Sequence, residues 1–488
     1  THTDAVLMDG MAIVTSHKAL TTTDVRQGII EALDAVMSEA NTEPGSIEAV
    51  MIGTTHFTNA VIERRELTET AIIRVCLPTG SGLPPMCDWP EDIGAIVGNH
   101  CYMIAGGHFF NGKPIACIDE AETNKVIEDI SSKNIKDIAI AAAFSPANPE
   151  HEIAVANLLL KIIPDANVSL SHKLGRLGIL ERENAAILNA SLGVLAGRVV
   201  YSMKAALKER RIKCPFYISQ NDGTLMSAEY IANFPALTFS SGPTNSIRGA
   251  AILSGIDNAI VVDIGGTTSD VGVLADGFPR ESNSHIEVGG VRTNFRMPDI
   301  LPIGLGGGSL VKEGGNVIGP QSVGHHLVKE SLVFGGETLT ATDISVANGS
   351  CEVGNKSLVS HLDSKIVNTA TETLHSMIDN AIDKMRPSEE PVPVILVGGG
   401  AILISQQLKT ASTLIQPEHA GVANAIGAAI AQVGGEVEQI VSYSKVKRET
   451  TLENAIREAE AKAVAAGADK STLRVLEIVE TAKSYMDD

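Results

Sequence analysis

The stretch Val261-Val262-Asp263-Ile264-Gly265-Gly266-Thr267-Thr268-Ser269-Asp270-Val271-Gly272-Val273 decides the fold. An apolar run over Ile260–Asp263 reads as a strand that ends at a carboxylate and enters a glycine pair. A second apolar run, Val271–Leu274, leaves from Asp270. Two residues without Cβ let backbone N–H groups come close to an anion, and Thr267 and Thr268 add hydroxyl donors. A phosphate held there would lie near Asp263, which a divalent cation makes tolerable. Mg²⁺ suits one or two carboxylates completed by phosphate oxygens and water. The alternative is an ordinary glycine hairpin. The flanking acid and the hydroxyl cluster favour a phosphate turn, with Gly265, Gly266, Thr267 and Thr268 as donors and Asp263 as the cation ligand. Asp270 is expected to orient a water or support the turn.

The same pattern opens the chain. Thr1-His2-Thr3-Asp4-Ala5-Val6-Leu7 and Thr267–Val273 both read Thr, variable, hydroxyl, Asp, then an apolar strand. This repeat predicts a duplicated lobe, with Thr1, Thr3 and Asp4 in the first copy of the cradle. The strand ending in Asp-x-Gly-Gly that precedes the second copy is expected to be missing from the first. The repeat also accounts for Thr1 better than an N-terminal threonine nucleophile does.

Further out, Val392–Val397 runs into Gly398-Gly399-Gly400, a strand-to-glycine turn suited to a nucleotide. Gly304–Ser309 is a weaker glycine loop. Gly53-Thr54-Thr55-His56-Phe57-Thr58-Asn59 follows the apolar run Ala49–Ile52 and opens a helix. Thr54, Thr55, His56 and Asn59 are candidates for substrate or anion contact, against plain helix capping by Thr55 or Thr58. His100, Cys101 and His108 carry metal-ligand chemistry without a tight spacing, and the neighbouring His325 and His326 are expected to diverge.

Strand-like runs at Ile138–Ala142 and Pro215–Ser219 alternate with helical patterns at Asn184–Lys208, Ile366–Ala381 and Asn424–Gln432. Such alternation predicts an α/β protein with a largely parallel sheet. In the tail, Thr450 with Glu453 suggests a capping box, Gly467 a stop, and Leu473–Val479 a strand. The expected domains are an N-terminal lobe over 1–255, a C-terminal ATPase lobe over 256–435 and a small α/β tail over 436–488.

The 488 residues carry 38 Lys+Arg against 58 Asp+Glu, a formal charge of −20. That balance argues against a nucleic-acid or anionic-membrane partner. Six cysteines without a CxxC pair suit reduced thiols in a cytoplasmic protein, and no apolar run is long enough to span a membrane.

Together these pieces resemble the actin/sugar-kinase/Hsp70 ATPase superfamily, whose fold is a pair of ribonuclease-H-like lobes with an interlobe nucleotide cleft. Within it the chain is similar to the short form of the hydantoinase/oxoprolinase family, A-type subunit. The matching stretches are Thr3–Asp9, Gly53–Arg64, Leu180–Asn189, Asn221–Ser227, Ser241–Pro243 with Gly249-Ala250, and Val262–Val273. Asp299-Ile300 with Gly304–Ser309 and Gly319-Pro320, and the tail Ala463–Asp469, complete them. The chain departs from the family pattern where no Asp-x-Gly-Gly precedes Thr1 and where Gly324–Lys329 replaces a Pro-Gly-Pro-Ala-Cys-Tyr-like run.

The resemblance implies an enzyme that opens a cyclic amide, such as a hydantoin, oxoproline or lactam, at the expense of ATP. It implies ATP and Mg²⁺ as cofactors, a second transition metal left unassigned, and a B-type partner subunit or a homo-oligomer. An A-type subunit of an ATP-dependent ketone carboxylase, a small-molecule kinase and a nucleotide switch without small-molecule chemistry are the competing readings.

Overall fold

Alternation of short apolar runs with amphipathic segments does produce strands and helices in turn. The computed structural model describes residues 2–20, 25–282, 286–439, 441, 443 and 446–481. Thr1, one of the expected phosphate residues, lies outside them. The chain begins with a hairpin, β1 (His2–Asp9) and β2 (Ala12–Leu20), followed by β3 (Val50–Ile52). Next come β4 (Thr70–Leu77), β5 (His100–Ala105), β6 (Asp137–Ala142) and β7 (Asn167–Leu170), then β8 (Phe216–Ser219) and β9 (Leu225–Ser227). The second half holds β10 (Ala259–Ile264), β11 (Ser269–Ala275), β12 (Phe278–Pro279), β13 (Ile286–Val288), β14 (Val291–Thr293) and β15 (Ile300–Ile303). It closes with β16 (Ser309–Lys312), β17 (Val317–Ser322), β18 (Val392–Val397) and β19 (Ala411–Ile415).

The two largest sheets differ in kind. One is wholly parallel, in the order β5-β4-β6-β7. The other is mixed, in the order β12-β11-β10-β18-β19, with β15 paired to β11. In it β10 runs antiparallel to β11 and parallel to β18. The expectation of a largely parallel sheet therefore holds for only one of them. Gly265–Thr268 is far too short for a crossover, so the returning strand must pair antiparallel. The helix Ser364–Met385 covers one face of the mixed sheet through Val367, Ala370, Leu374 and Ile378, and Ser241–Ser254 covers the other through Ile247 and Ala250.

Ser241–Ser254 also crosses the short helix Ala423–Ala429 with backbone against backbone. A Cβ on Gly427 would stand 1.8 Å from the Asn245 carbonyl oxygen, and one on Gly249 would stand 2.0 Å from that of Ala423. Only glycine permits this approach, and it holds the mixed sheet beside β1 and β3, both of which touch Ala423–Ala429.

Three local expectations are corrected. Asn184–Lys208 is not one helix but two, Ile179–Ser191 and Gly193–Glu209, bent by 51°. At the break a Cβ on Gly193 would meet the Asn167 amide at 2.1 Å, so the chain turns where it runs against β7. The tail helix is Arg448–Ala465, capped at Lys447 rather than Thr450, although Gly467 ends it in a left-handed conformation (φ +108°). Leu473–Val479 forms no strand. Val475, Leu476, Ile478 and Val479 are exposed, and no strand edge among the described residues pairs with them. No single helix among the described residues is long and apolar enough to cross a membrane.

Candidate functional site

The turn Gly265–Thr268 closes with one ladder-like bond, Gly265 N–H to the Thr268 carbonyl at 2.9 Å. Its carbonyls are occupied from behind. Gly307 N–H donates to Gly265 O (3.0 Å) and Gly308 N–H to Gly266 O (2.7 Å). A Cβ on Gly306 would stand 2.5 Å from the Thr267 nitrogen, so the Gly304–Ser309 loop is the rear wall of the turn. The Ser269 hydroxyl is used up on Leu305 O at 2.6 Å. The N–H groups of Gly266, Thr267 and Thr268 donate to no described residue, and both threonines are exposed. A run of unbonded N–H groups with its carbonyls turned away is an anion-binding concavity.

Behind the turn, Asp263 and Asp270 stand directly opposite each other in the β10–β11 pair. Like charges at directly opposed positions repel. Burial raises the Asp270 carboxyl to about 7, helped by the Asp263 charge, and that carboxyl has no hydrogen bond or ion pair among the described residues. Burial also raises Asp263. The Ser246 hydroxyl opposes that shift, Asp4 adds to it, and Lys18 opposes it. Two opposed carboxylates beside an anion-binding turn fit one divalent cation shared with phosphate oxygens. Asp263 and Asp270 would hold it. Among the described residues no group of three His, Cys, Asp or Glu side chains gathers to bind a metal by itself.

The second glycine turn meets the first. Gly398 has φ +85°, and a Cβ there would stand 2.2 Å from Asp263 Oδ1. One on Gly400 would stand 2.6 Å from the Ile264 side chain. Gly400 N–H donates to Ile264 O at 2.7 Å. Gly398 and Gly400 are thus glycine because β10 presses on them, whereas Gly399 faces open space. All three line a cleft of ≈ 1680 Å³ together with Asp263, Gly265 and Gly266.

The opposite wall comes from the N-terminal segments. Thr3, Asp4, Thr54, Thr55, His56 and Asn59 all line the same cleft. Thr55 sits at the N-cap of the helix His56–Ile62 but makes no side-chain cap bond, and the Thr54 hydroxyl accepts from His56 N–H at 3.2 Å instead. The cleft continues as an apolar gap between β1 and β3. Among the described residues β1 pairs only with β2, and β3 only with β8.

Lys18 is a cleft residue the sequence did not reveal. It opposes Asp4 across the β1–β2 hairpin, and its Nζ lies 2.7 Å from Asp4 Oδ1. Counting across the Gly10-Met11 turn would put His17 there. A bulge between Leu7 and Met8 moves the register by one and presents Lys18 instead.

The dispersed histidines do not assemble. His100 bonds Glu69 at 2.6 Å, while His108 is buried and stacks on His151 with ring centroids 4.2 Å apart. His325 and His326 do not diverge, because the tight turn Gly324–His326 brings their rings to 3.8 Å. His325 reaches the cleft.

Two family models match the chain. Residues 1–163 match that for the hydantoinase/oxoprolinase N-terminal region, and residues 182–355 match that for hydantoinase/oxoprolinase. Caprolactamase subunit alpha of Pseudomonas jessenii is 25% identical over 373 residues, covering 72% of this chain and 53% of the relative. The gamma subunit of acetophenone carboxylase from Aromatoleum aromaticum is 24% identical over 252 residues, covering 49% and 34%. The chain thus spans about half or less of these curated relatives. The crystal structure of ATP-dependent caprolactamase from Pseudomonas jessenii superposes with a TM-score of 0.75 at 19% identity, covering 96% of this chain and 76% of that one. That likeness establishes the α/β fold with mixed sheets.

Proposed function

The chain belongs to the hydantoinase/oxoprolinase family, and on that premise we propose that it uses ATP to open a cyclic amide, with the phosphates bound at Gly265–Thr268. The observation that carries this reading is the set of unbonded N–H groups at Gly266, Thr267 and Thr268 beside the opposed pair Asp263 and Asp270. We take the N-terminal segments and the 256–435 region to be two related actin-like lobes. β1 and β2 repeat the β11–β12 hairpin, and the gap between β1 and β3 stands where β10 stands between β11 and β18.

A ring amide is a poor electrophile because its nitrogen lone pair feeds the carbonyl. Phosphorylation of the carbonyl oxygen gives an imidate-like phosphate, whose carbon is more electrophilic and whose oxygen is now part of a leaving group: an O–P bond forms, the bond from Pγ to the bridging oxygen breaks, and ADP leaves. Water then adds to the activated carbon and the ring C–N bond breaks with a proton passing to nitrogen. A second water releases phosphate from the resulting acyl phosphate. The net reaction consumes ATP and two waters for one ring opened. In this scheme Gly266–Thr268 orient and neutralise the phosphate chain. Gly399 leaves bare backbone for the nucleoside side, and Thr54, Thr55, His56 and Asn59 line the wall where a substrate amide would enter. A divalent cation at Asp263 and Asp270 would neutralise phosphate charge.

The carboxylase relative supports a second reading, in which the same transfer activates a ketone or bicarbonate. Both relatives are named as subunits, which supports a requirement for a B-type partner. ADP release is the test, measured over lactams, hydantoins and oxoproline, and over ketones with bicarbonate, each with and without the candidate partner. Ring opening with stoichiometric ADP and phosphate is expected. Turnover with ketones alone selects the carboxylase reading, and a stable phosphorylated product selects a kinase.

A further inference from the structure

The cleft holds an amine that the phosphoryl-transfer scheme does not use. Lys18 lies on β2, across the hairpin from Asp4, and its side chain keeps 37% of its exposure. Its Cε is 3.5 Å from where a Cβ on Gly421 would stand, so it spans from the first hairpin to the segment behind Gly398, whose N–H bonds Ala420. Lys18 therefore lines the same cleft as Asp263, Gly265, Gly266 and Gly398–Gly400. Arg65, the other long basic side chain on the cleft wall, is paired with Glu63. The N–H groups of Gly266–Thr268 supply dipoles, and an ammonium would add a full positive charge to that of a divalent cation at Asp263 and Asp270. An ammonium on a flexible stem can change partners without moving the backbone.

We propose that Lys18 is a nucleotide-sensing residue: in the empty cleft its ammonium pairs with Asp4, and with ATP bound it turns from Asp4 to the terminal phosphate. This inference rests on the nucleotide reading of the cleft. It adds a discriminator between ATP and ADP, because only the triphosphate reaches a group held on the hairpin side. Once the terminal phosphate is transferred, Lys18 returns to Asp4 and the grip on ADP weakens.

The test is calorimetric titration of ATP and of ADP, each with Mg²⁺, into the full chain and three variants. Lys18→Met is expected to weaken ATP binding about tenfold or more and ADP binding less than about threefold, with Lys18→Arg recovering part of the ATP loss. Asp4→Asn releases the ammonium from its resting partner and is expected to tighten ATP. A purely structural ion pair would make Asp4→Asn and Lys18→Met lose the two nucleotides alike, and that result overturns the inference. Tight ATP binding undiminished in Lys18→Met overturns it too, while leaving the cleft assignment standing. A wild-type chain that binds neither nucleotide removes the underlying reading and this inference with it.

Discussion

Beyond β5 and beyond β10 a glycine pair meets the carboxyl end of a parallel strand, and the outcomes are opposite. Beyond β5, Gly106 (φ +135°) and Gly107 (φ +82°) fold back over the ends of β4 and β6. A Cβ on Gly107 would stand 2.8 Å from Val75 O and 2.9 Å from the Ala143 side chain. Gly106 N–H and His108 N–H then bond Leu77 O and Ala143 O. Buried Arg182 takes Ala142 O at 2.6 Å, and buried Glu152 accepts from Ala142 N–H at 2.9 Å and from the Ser171 hydroxyl at 2.5 Å. The crevice where an open α/β sheet usually takes its ligand is sealed there. Beyond β10, Gly265 and Gly266 bend away, their carbonyls are held from behind, and the N–H groups are left for something else. The same residue type closes one edge and opens the other, so what binds is decided by where the neighbouring hydrogen bonds go.

That contrast is most exposed to failure at Asp263. Asp263→Asn is expected to lower ATP turnover by about a thousandfold or more with unchanged circular dichroism, since charge neutralisation is the larger part of phosphoryl transfer. His108→Asn on the sealed edge should leave turnover within about twofold, and a large loss there would undo the assignment of roles. Next in size is Gly427→Ala, for which urea denaturation should show a loss of roughly 1–3 kcal/mol through overpacking against Asn245 O. Gly399→Ala, facing open space, should weaken nucleotide binding without that loss. Thr268→Val should weaken ATP binding by about tenfold, the value of one hydrogen bond to a charged group.

The smallest expected effect is a pH dependence of the sealed edge. Burial holds His108 below the ordinary imidazole range, with the His151 charge adding to it, and burial also lowers His151. These two imidazoles then bind fewer protons in the folded chain than in the unfolded chain below about pH 6.5, so their contribution to stability falls as pH drops through that range. Between about pH 7 and pH 5 the urea midpoint should therefore lose ground to that of a variant carrying both His108→Asn and His151→Gln.

The open edge was legible because its residues are contiguous: strand, acid, glycines, hydroxyls and returning strand all lie within Ile260–Leu274. The sealed edge was not, because Glu152, Ser171 and Arg182 meet only after three separate segments fold together, and no local spacing announces them. Lys18 was hidden by one bulge that shifts the hairpin by a residue. Gly398-Gly399-Gly400 read as uniform in sequence, yet two of the three answer to packing on β10 and only Gly399 to open space. Leu473–Val479 shows the converse failure, since strand propensity without an edge to pair with leaves an exposed segment outside any sheet.

Hydrogen exchange with and without Mg²⁺-ATP compares the two edges in one experiment. The amides of residues 265–268 and 398–400 should slow on adding nucleotide while those of 106–108 stay unchanged. Protection appearing at 106–108, or none at 265–268 under saturating nucleotide, would contradict the placement of the phosphates at the open edge.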